Sequence, residues 1–80
     1  MKAQVYVTLK QEVLDPQGDA VRQALGSLGY PAIANVRVGK LITIDLGNAT
    51  KAEAEKNVRA MCEKLLANPV MEDFRFDIVD

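Results

Sequence analysis

Residues 33–46 read Ile33-Ala34-Asn35-Val36-Arg37-Val38-Gly39-Lys40-Leu41-Ile42-Thr43-Ile44-Asp45-Leu46. Val36, Val38, Ile42, Ile44 and Leu46 are all even-numbered, so the apolar parity survives the interruption at Gly39-Lys40. That is the period of a half-buried strand. A two-residue hairpin on Gly39-Lys40 would pair Arg37 with Ile42 and bring a charge onto the apolar face, which disfavours that register. A three-residue loop of Gly39-Lys40-Leu41 and one long strand bent at Gly39 both keep the parity. The bent strand is preferred, because a three-residue hairpin wants its glycine late in the loop and Gly39 comes first. A strand of about 14 residues spans roughly 45 Å and overruns a small sheet. Its far end then calls for an edge supplied by a second copy of the chain.

Working outward, Ala3, Val5, Val7 and Leu9 alternate with Gln4, Tyr6 and Thr8, which predicts a first strand. Asp15-Pro16 sets a helix N-cap beside a residue suited to the first helical position. Val21, Ala24, Leu25 and Leu28 then recur on one helical face, and Gly29 with Pro31 ends the helix. Thr50 and Glu53 have capping-box spacing and open a second helix. Its apolar stripe is Ala54, Val58, Met61, Cys62 and Leu65, and Asn68-Pro69 stops it. Phe74, Phe76 and Ile78 alternate with Asp73, Arg75 and Asp77 in a last strand. The expected fold is α+β, a two-layer sandwich of order β-α-β-α-β with a long bent central strand. Two helices lie on one face of an antiparallel sheet completed across a homodimer. With a hairpin in the middle the order becomes β-α-β-β-α-β, which is ferredoxin-like. No linker or repeat divides the chain, so residues 1–80 are read as a single domain.

Composition excludes much chemistry. The 80 residues contain no histidine and one cysteine, so neither a histidine-based catalytic unit nor an internal disulfide can form. A domain of this size buries roughly 63% of its unfolded surface, which leaves a thin core. Ten Lys and Arg against eleven Asp and Glu give no basic field for nucleic acid. Nothing resembles a signal peptide or a membrane span, so a cytoplasmic chain is expected.

Each reactive side chain has a plain alternative. Cys62 lies on the apolar stripe of the second helix, where a thiol is usually inert core. Lys10 and Lys40 could bind phosphate, but lysines near strand ends commonly guard edges. Glu72, Asp73 and Asp77 could approach a hard cation, yet Asp73 and Asp77 alternate with Arg75 on the outer face. Gly18 disfavours the first helix by roughly 1 kcal/mol relative to alanine, so a close approach by another group is expected there. The sheet face opposite the helices carries Tyr6, Arg37, Leu41, Arg75 and Val79, with the two phenylalanines pointing away. This suits a protein contact better than an RNA platform.

Three stretches together resemble the PurS family, the small subunit of multi-subunit phosphoribosylformylglycinamidine (FGAM) synthase. They are Val5-Tyr6-Val7-Thr8-Leu9-Lys10 with Val13-Leu14-Asp15-Pro16-Gln17-Gly18; Val36-Arg37-Val38-Gly39-Lys40; and residues 61–70 with Glu72-Asp73-Phe74. The resemblance implies a non-catalytic adaptor in de novo purine biosynthesis. It would join a glutaminase subunit, PurQ, to a synthetase subunit, PurL, so that ammonia from glutamine reaches formylglycinamide ribonucleotide. It implies no catalytic residue and no cofactor on this chain, ATP and magnesium being used by the synthetase. The implied partners are a second copy, as a dimer or a tetramer of two dimers, and the two larger subunits, without nucleic acid or membrane. Gln17, Gly18, Arg37, Lys40, Lys10 and Glu72 are the interface candidates on the matching motifs. Asp15, Pro16, Gly39, Asn68 and Pro69 are read as structural motif. The alternative function is a ferredoxin-like regulatory module that binds a small ligand.

Overall fold

Strand β1 (Lys2–Leu9) is the middle of a three-stranded antiparallel sheet, flanked by β2 (Lys40–Asp45) and β3 (Glu72–Val79). The computed structural model describes residues 1–79. Helix α1 (Pro16–Ser27) joins β1 to the segment leading into β2, and α2 (Lys51–Met61) joins β2 to β3. The result is the expected α+β order.

Register follows from apolar parity. Val5 stands between Ile42 and Phe76, and Ala3 between Ile44 and Ile78, so one face of all three strands is apolar. α2 covers this face with Ala54 and Val58. Ala3, Val5, Val7, Val58, Cys62 and Ala67 form the buried cluster, with Phe74, Phe76, Ile42 and Ile44 packed against it. Burying one such side chain contributes about 1.5–3 kcal/mol, so α2 is held mainly by this contact.

Both predicted N-caps form. The Asp15 carboxylate accepts the Gly18 amide, and the Thr50 hydroxyl accepts the Glu53 amide at 3.3 Å. Gly29 takes a positive φ of 105° past the end of α1, while the Tyr30 amide reaches back to the Leu25 carbonyl. This is the glycine stop read from the sequence.

Three details differ from expectation. α2 passes at Cys62 into a π-helical turn, Cys62–Leu66, closed by the Ala67 amide on the Cys62 carbonyl at 3.1 Å. The extra residue per turn rotates the stripe beyond Cys62: Leu66 is half-buried and Ala67 buried, whereas Leu65 is 82% exposed; Met61, still within α2, lies at the surface beside the stripe.

The apolar stripe of α1 is also largely uncovered, with Leu28 73% exposed and Gly18 its one buried residue. No part of α1 belongs to the buried cluster.

Finally, the central strand is ladder-bonded only over Lys40–Asp45: pairing with β1 stops at Val7 and Lys40, the Val38 amide turns to Asp15 Oδ2, and β1 ends at Leu9, before residues 33–37. The hairpin alternative is not adopted: β2 pairs with β1, and no fourth strand is present among the described residues. The unpaired segment and α1 extend the molecule to 48 × 27 × 14 Å. Its radius of gyration is 16.0 Å, whereas a compact chain of this length has about 12 Å.

Candidate functional site

At one end of the sheet β1 leaves, β2 enters and β3 begins, as the pairs Val7 with Lys40 and Leu9 with Glu72 define. The three motif stretches, distant in sequence, meet there. Asp15 is central. Only 5% of it is exposed, and both carboxylate oxygens are used. Oδ1 accepts the Gly18 amide at 2.9 Å and Oδ2 the Val38 amide at 2.7 Å, so one side chain caps α1 and holds the approach to β2. The Val38 amide, then the Gly18 amide, and more weakly the Arg37 charge pull the Asp15 carboxyl below its usual value, against the opposing effect of burial.

Arg37 works from the same segment toward the other side of the junction. Its Nη2 donates to the Lys10 carbonyl at 2.9 Å and to the Val13 carbonyl at 2.8 Å. The Lys10 amide in turn donates to the Met71 carbonyl at 2.9 Å. Two glycines let the backbones approach this closely. A Cβ on Gly18 would overlap the Val36 carbonyl oxygen, and one on Gly39 would stand 2.7 Å from the Val7 carbonyl oxygen. Val36 is therefore what approaches Gly18, as the helix-disfavouring glycine suggested.

The third stretch closes the junction. Asn68 Oδ1 accepts the Val70 amide, and its backbone carbonyl accepts the Met71 and Glu72 amides. Glu72 Oε1 accepts the Asn68 amide at 2.8 Å, while Oε2 lies 4.0 Å from Lys40 Nζ. That last pair is long and partly solvated, worth about 0–1 kcal/mol. Pro16 takes the first helical position, and Pro69 follows the π-helical turn as an exposed residue. A groove of about 480 Å³ opens between Asp15, Pro16 and Gln17 on one side and Gly39, Lys40 and Glu72 on the other.

The junction thus gives Gly18 and Arg37 internal tasks. Gln17 and Lys40 are exposed on the groove, and Lys10 and Glu72 are half-buried beside it. Val13, whose carbonyl accepts from Arg37, and Val36, whose carbonyl stands against Gly18, were not singled out as site residues from the sequence, because backbone carbonyls leave no side-chain signature.

Elsewhere, Cys62 is fully buried, and burial pushes its thiol up, which favours the neutral form. Among the described residues no group of three or more Cys, Asp or Glu is arranged for a metal ion, and no helix is long and apolar enough to cross a membrane. On the open sheet face Arg75 stacks 3.9 Å from the Tyr6 ring centroid and pairs with Asp77 at 3.5 Å. These surfaces can hold a neighbour in position.

Residues 2–80 match the family model described as PurS, phosphoribosylformylglycinamidine (FGAM) synthase. The chain is 46% identical over 77 residues to phosphoribosylformylglycinamidine synthase subunit PurS of Bacillus subtilis strain 168, covering 96% of this chain and 90% of that one. It superposes on the crystal structure of B. subtilis PurS with a TM-score of 0.85 at 44% identity, covering 99% and 98% of the two chains. It superposes on a chain of the PurLQS structure from Thermotoga maritima with a TM-score of 0.86 at 28% identity, covering 98% and 95%.

Proposed function

Because this chain belongs to the PurS family, we propose that it holds a glutaminase subunit, PurQ, against a synthetase subunit, PurL. It is a subunit of phosphoribosylformylglycinamidine synthase in purine biosynthesis. The adaptor reading is carried by one observation: over nearly its whole length the chain has the fold of a chain from the PurLQS structure of T. maritima. Ammonia released from glutamine would pass within such an assembly to formylglycinamide ribonucleotide. ATP and magnesium belong to the synthetase in this reading, and the present chain acts by shape in the cytoplasm as a single domain over residues 1–80.

A second copy completes that shape. Among the described residues, β2 has a free outer edge, residues 33–38 have no partner strand, and the apolar stripe of α1 is largely uncovered. A homodimer that exchanges these segments would cover all three, and two dimers could join as a tetramer. In this reading Gln17 and Lys40, with Lys10 and Glu72 beside them, would meet the larger subunits. The alternative of a small-ligand regulatory module is not favoured beside the family match.

Reconstitution tests the reading. With PurL and PurQ, glutamine-dependent formation of FGAM should require this chain, while ammonia-dependent formation by PurL should persist without it. Full glutamine-dependent activity in its absence would overturn the adaptor role.

A further inference from the structure

β3 has an outer edge as well, and its chemistry differs from that of β2. The Lys10 amide donates to the Met71 carbonyl, which fixes the hydrogen-bonding phase of the β1–β3 ladder. Asp73, Arg75 and Asp77 therefore bond to β1, and Phe74, Phe76 and Ile78 turn their N–H and C=O groups outward. A groove of about 670 Å³ runs along this edge, with Phe74 and Phe76 as its floor and α2 as its wall. Ala52, Lys56 and Arg59, at i, i+4 and i+7, form the flank of α2 that faces the edge.

The groove combines three properties. Its floor is apolar and half-buried, its edge offers backbone donors and acceptors unpaired among the described residues, and its wall is cationic. The small side chain of Ala52 leaves room beside the floor. Arg59 lies 5.2 Å from the Phe76 ring centroid, and neither it nor Lys56 forms an ion pair among the described residues. The remaining charges are Glu55 on the wall and Arg75, which is occupied by Asp77 and Tyr6 on the opposite sheet face.

We propose that the β3 edge receives an extended acidic segment of a neighbouring synthase subunit, added to the sheet as a further strand. Backbone groups of Phe74, Phe76 and Ile78 would bond the segment, and its carboxylates, two residues apart on the groove side, would meet Lys56 and Arg59. The two sheet edges then serve different neighbours, β2 a copy of the chain and β3 a larger subunit. This inference rests on the adaptor reading.

Amide hydrogen exchange on the isotopically labelled chain, alone and assembled with PurL and PurQ, provides the test. The Phe74, Phe76 and Ile78 amides should exchange about tenfold or more slowly in the assembly than in the free chain. The double substitution Lys56→Glu and Arg59→Glu, at exposed positions, should leave the free fold intact and weaken assembly by about tenfold or more. An assembly that forms with these amides still unprotected overturns the edge proposal and leaves the adaptor role standing. Protection that already depends on the concentration of the free chain assigns the edge to a second copy and also overturns it. Failure of any assembly to form overturns both readings.

Discussion

Gly18 and Gly26 lie two turns apart in the same helix, and the structure separates them. A methyl group on Gly18 has to displace the Val36 carbonyl, whereas a Cβ on Gly26 meets nothing within 4 Å. Gly18→Ala should therefore lower stability by about 2–3 kcal/mol through overpacking. Gly26→Ala should raise it by about 0.5–1 kcal/mol by removing backbone freedom from the unfolded chain. Denaturant titration of the two variants measures both, and a Gly18→Ala protein as stable as the parent would refute the close crossing. Asp15 makes a pH prediction at the same junction. Its folded pKa lies below the unfolded value of 3.8, so the unfolded chain takes up its proton first as the solution is acidified. The stabilisation is fully present above the unfolded pKa and is lost as pH falls through the folded value. Stability measured from pH 6 to pH 2 should therefore fall less steeply in Asp15→Asn than in the parent. Equal slopes would mean that the paired amides do not favour the charged form.

At the scale of elements, most boundaries were legible because local chemistry and tertiary packing agree. Asp15 and Thr50 cap the helices the sequence assigned to them, and Gly29 ends α1 as its spacing required. Parity put Phe74 and Phe76 on the α2 side of β3. The end of α2 was not legible, since Leu65 and Leu66 are equally apolar and only the π-helical turn selects between them. Leu66→Ala should cost about 1–2 kcal/mol through lost burial, while Leu65→Ala should change stability by less than about 0.5 kcal/mol. A regular α-helix through residue 66 would reverse that order, so chemical denaturation of the pair reads the turn directly. For the junction, the sequence supplied the residues and the structure their connections. Gly18 stood out because it disfavours the helix it sits in, and Arg37 because it lies in one of the motif stretches. Their partners, the Val36, Lys10 and Val13 carbonyls, lie far along the chain, and a backbone carbonyl leaves no side-chain signature.

On the scale of the whole molecule, one half has a core and the other does not. The sheet and α2 enclose the buried cluster, while α1 and residues 33–38 are tied to that half at Asp15, Gly18 and Arg37 by polar contacts and close backbone crossings. Val21 on α1 and Leu28 at its C-cap, seven residues apart, are 42% and 73% exposed. An apolar helical stripe with no internal cover is costly unless a neighbour removes it from water. In the proposed homodimer the second copy supplies that cover, and substitution of the stripe separates folding from association. Val21→Lys with Leu28→Lys places charge on the face, and the lysine at position 28 suits the C-terminal end of the helix dipole. Loss of helicity is therefore not the expected result, and circular dichroism should match the parent at concentrations where both are monomeric. If each copy buries both side chains of the other, their loss corresponds to about 3 kcal/mol per protomer and about 6 kcal/mol per dimer, or roughly four orders of magnitude in the dimer dissociation constant. Sedimentation velocity across a concentration series gives that constant for each protein. An unchanged constant would leave α1 outside the dimer contact and confine the second copy to the β2 edge, where Leu41 is 57% exposed beside the outward backbone of the strand.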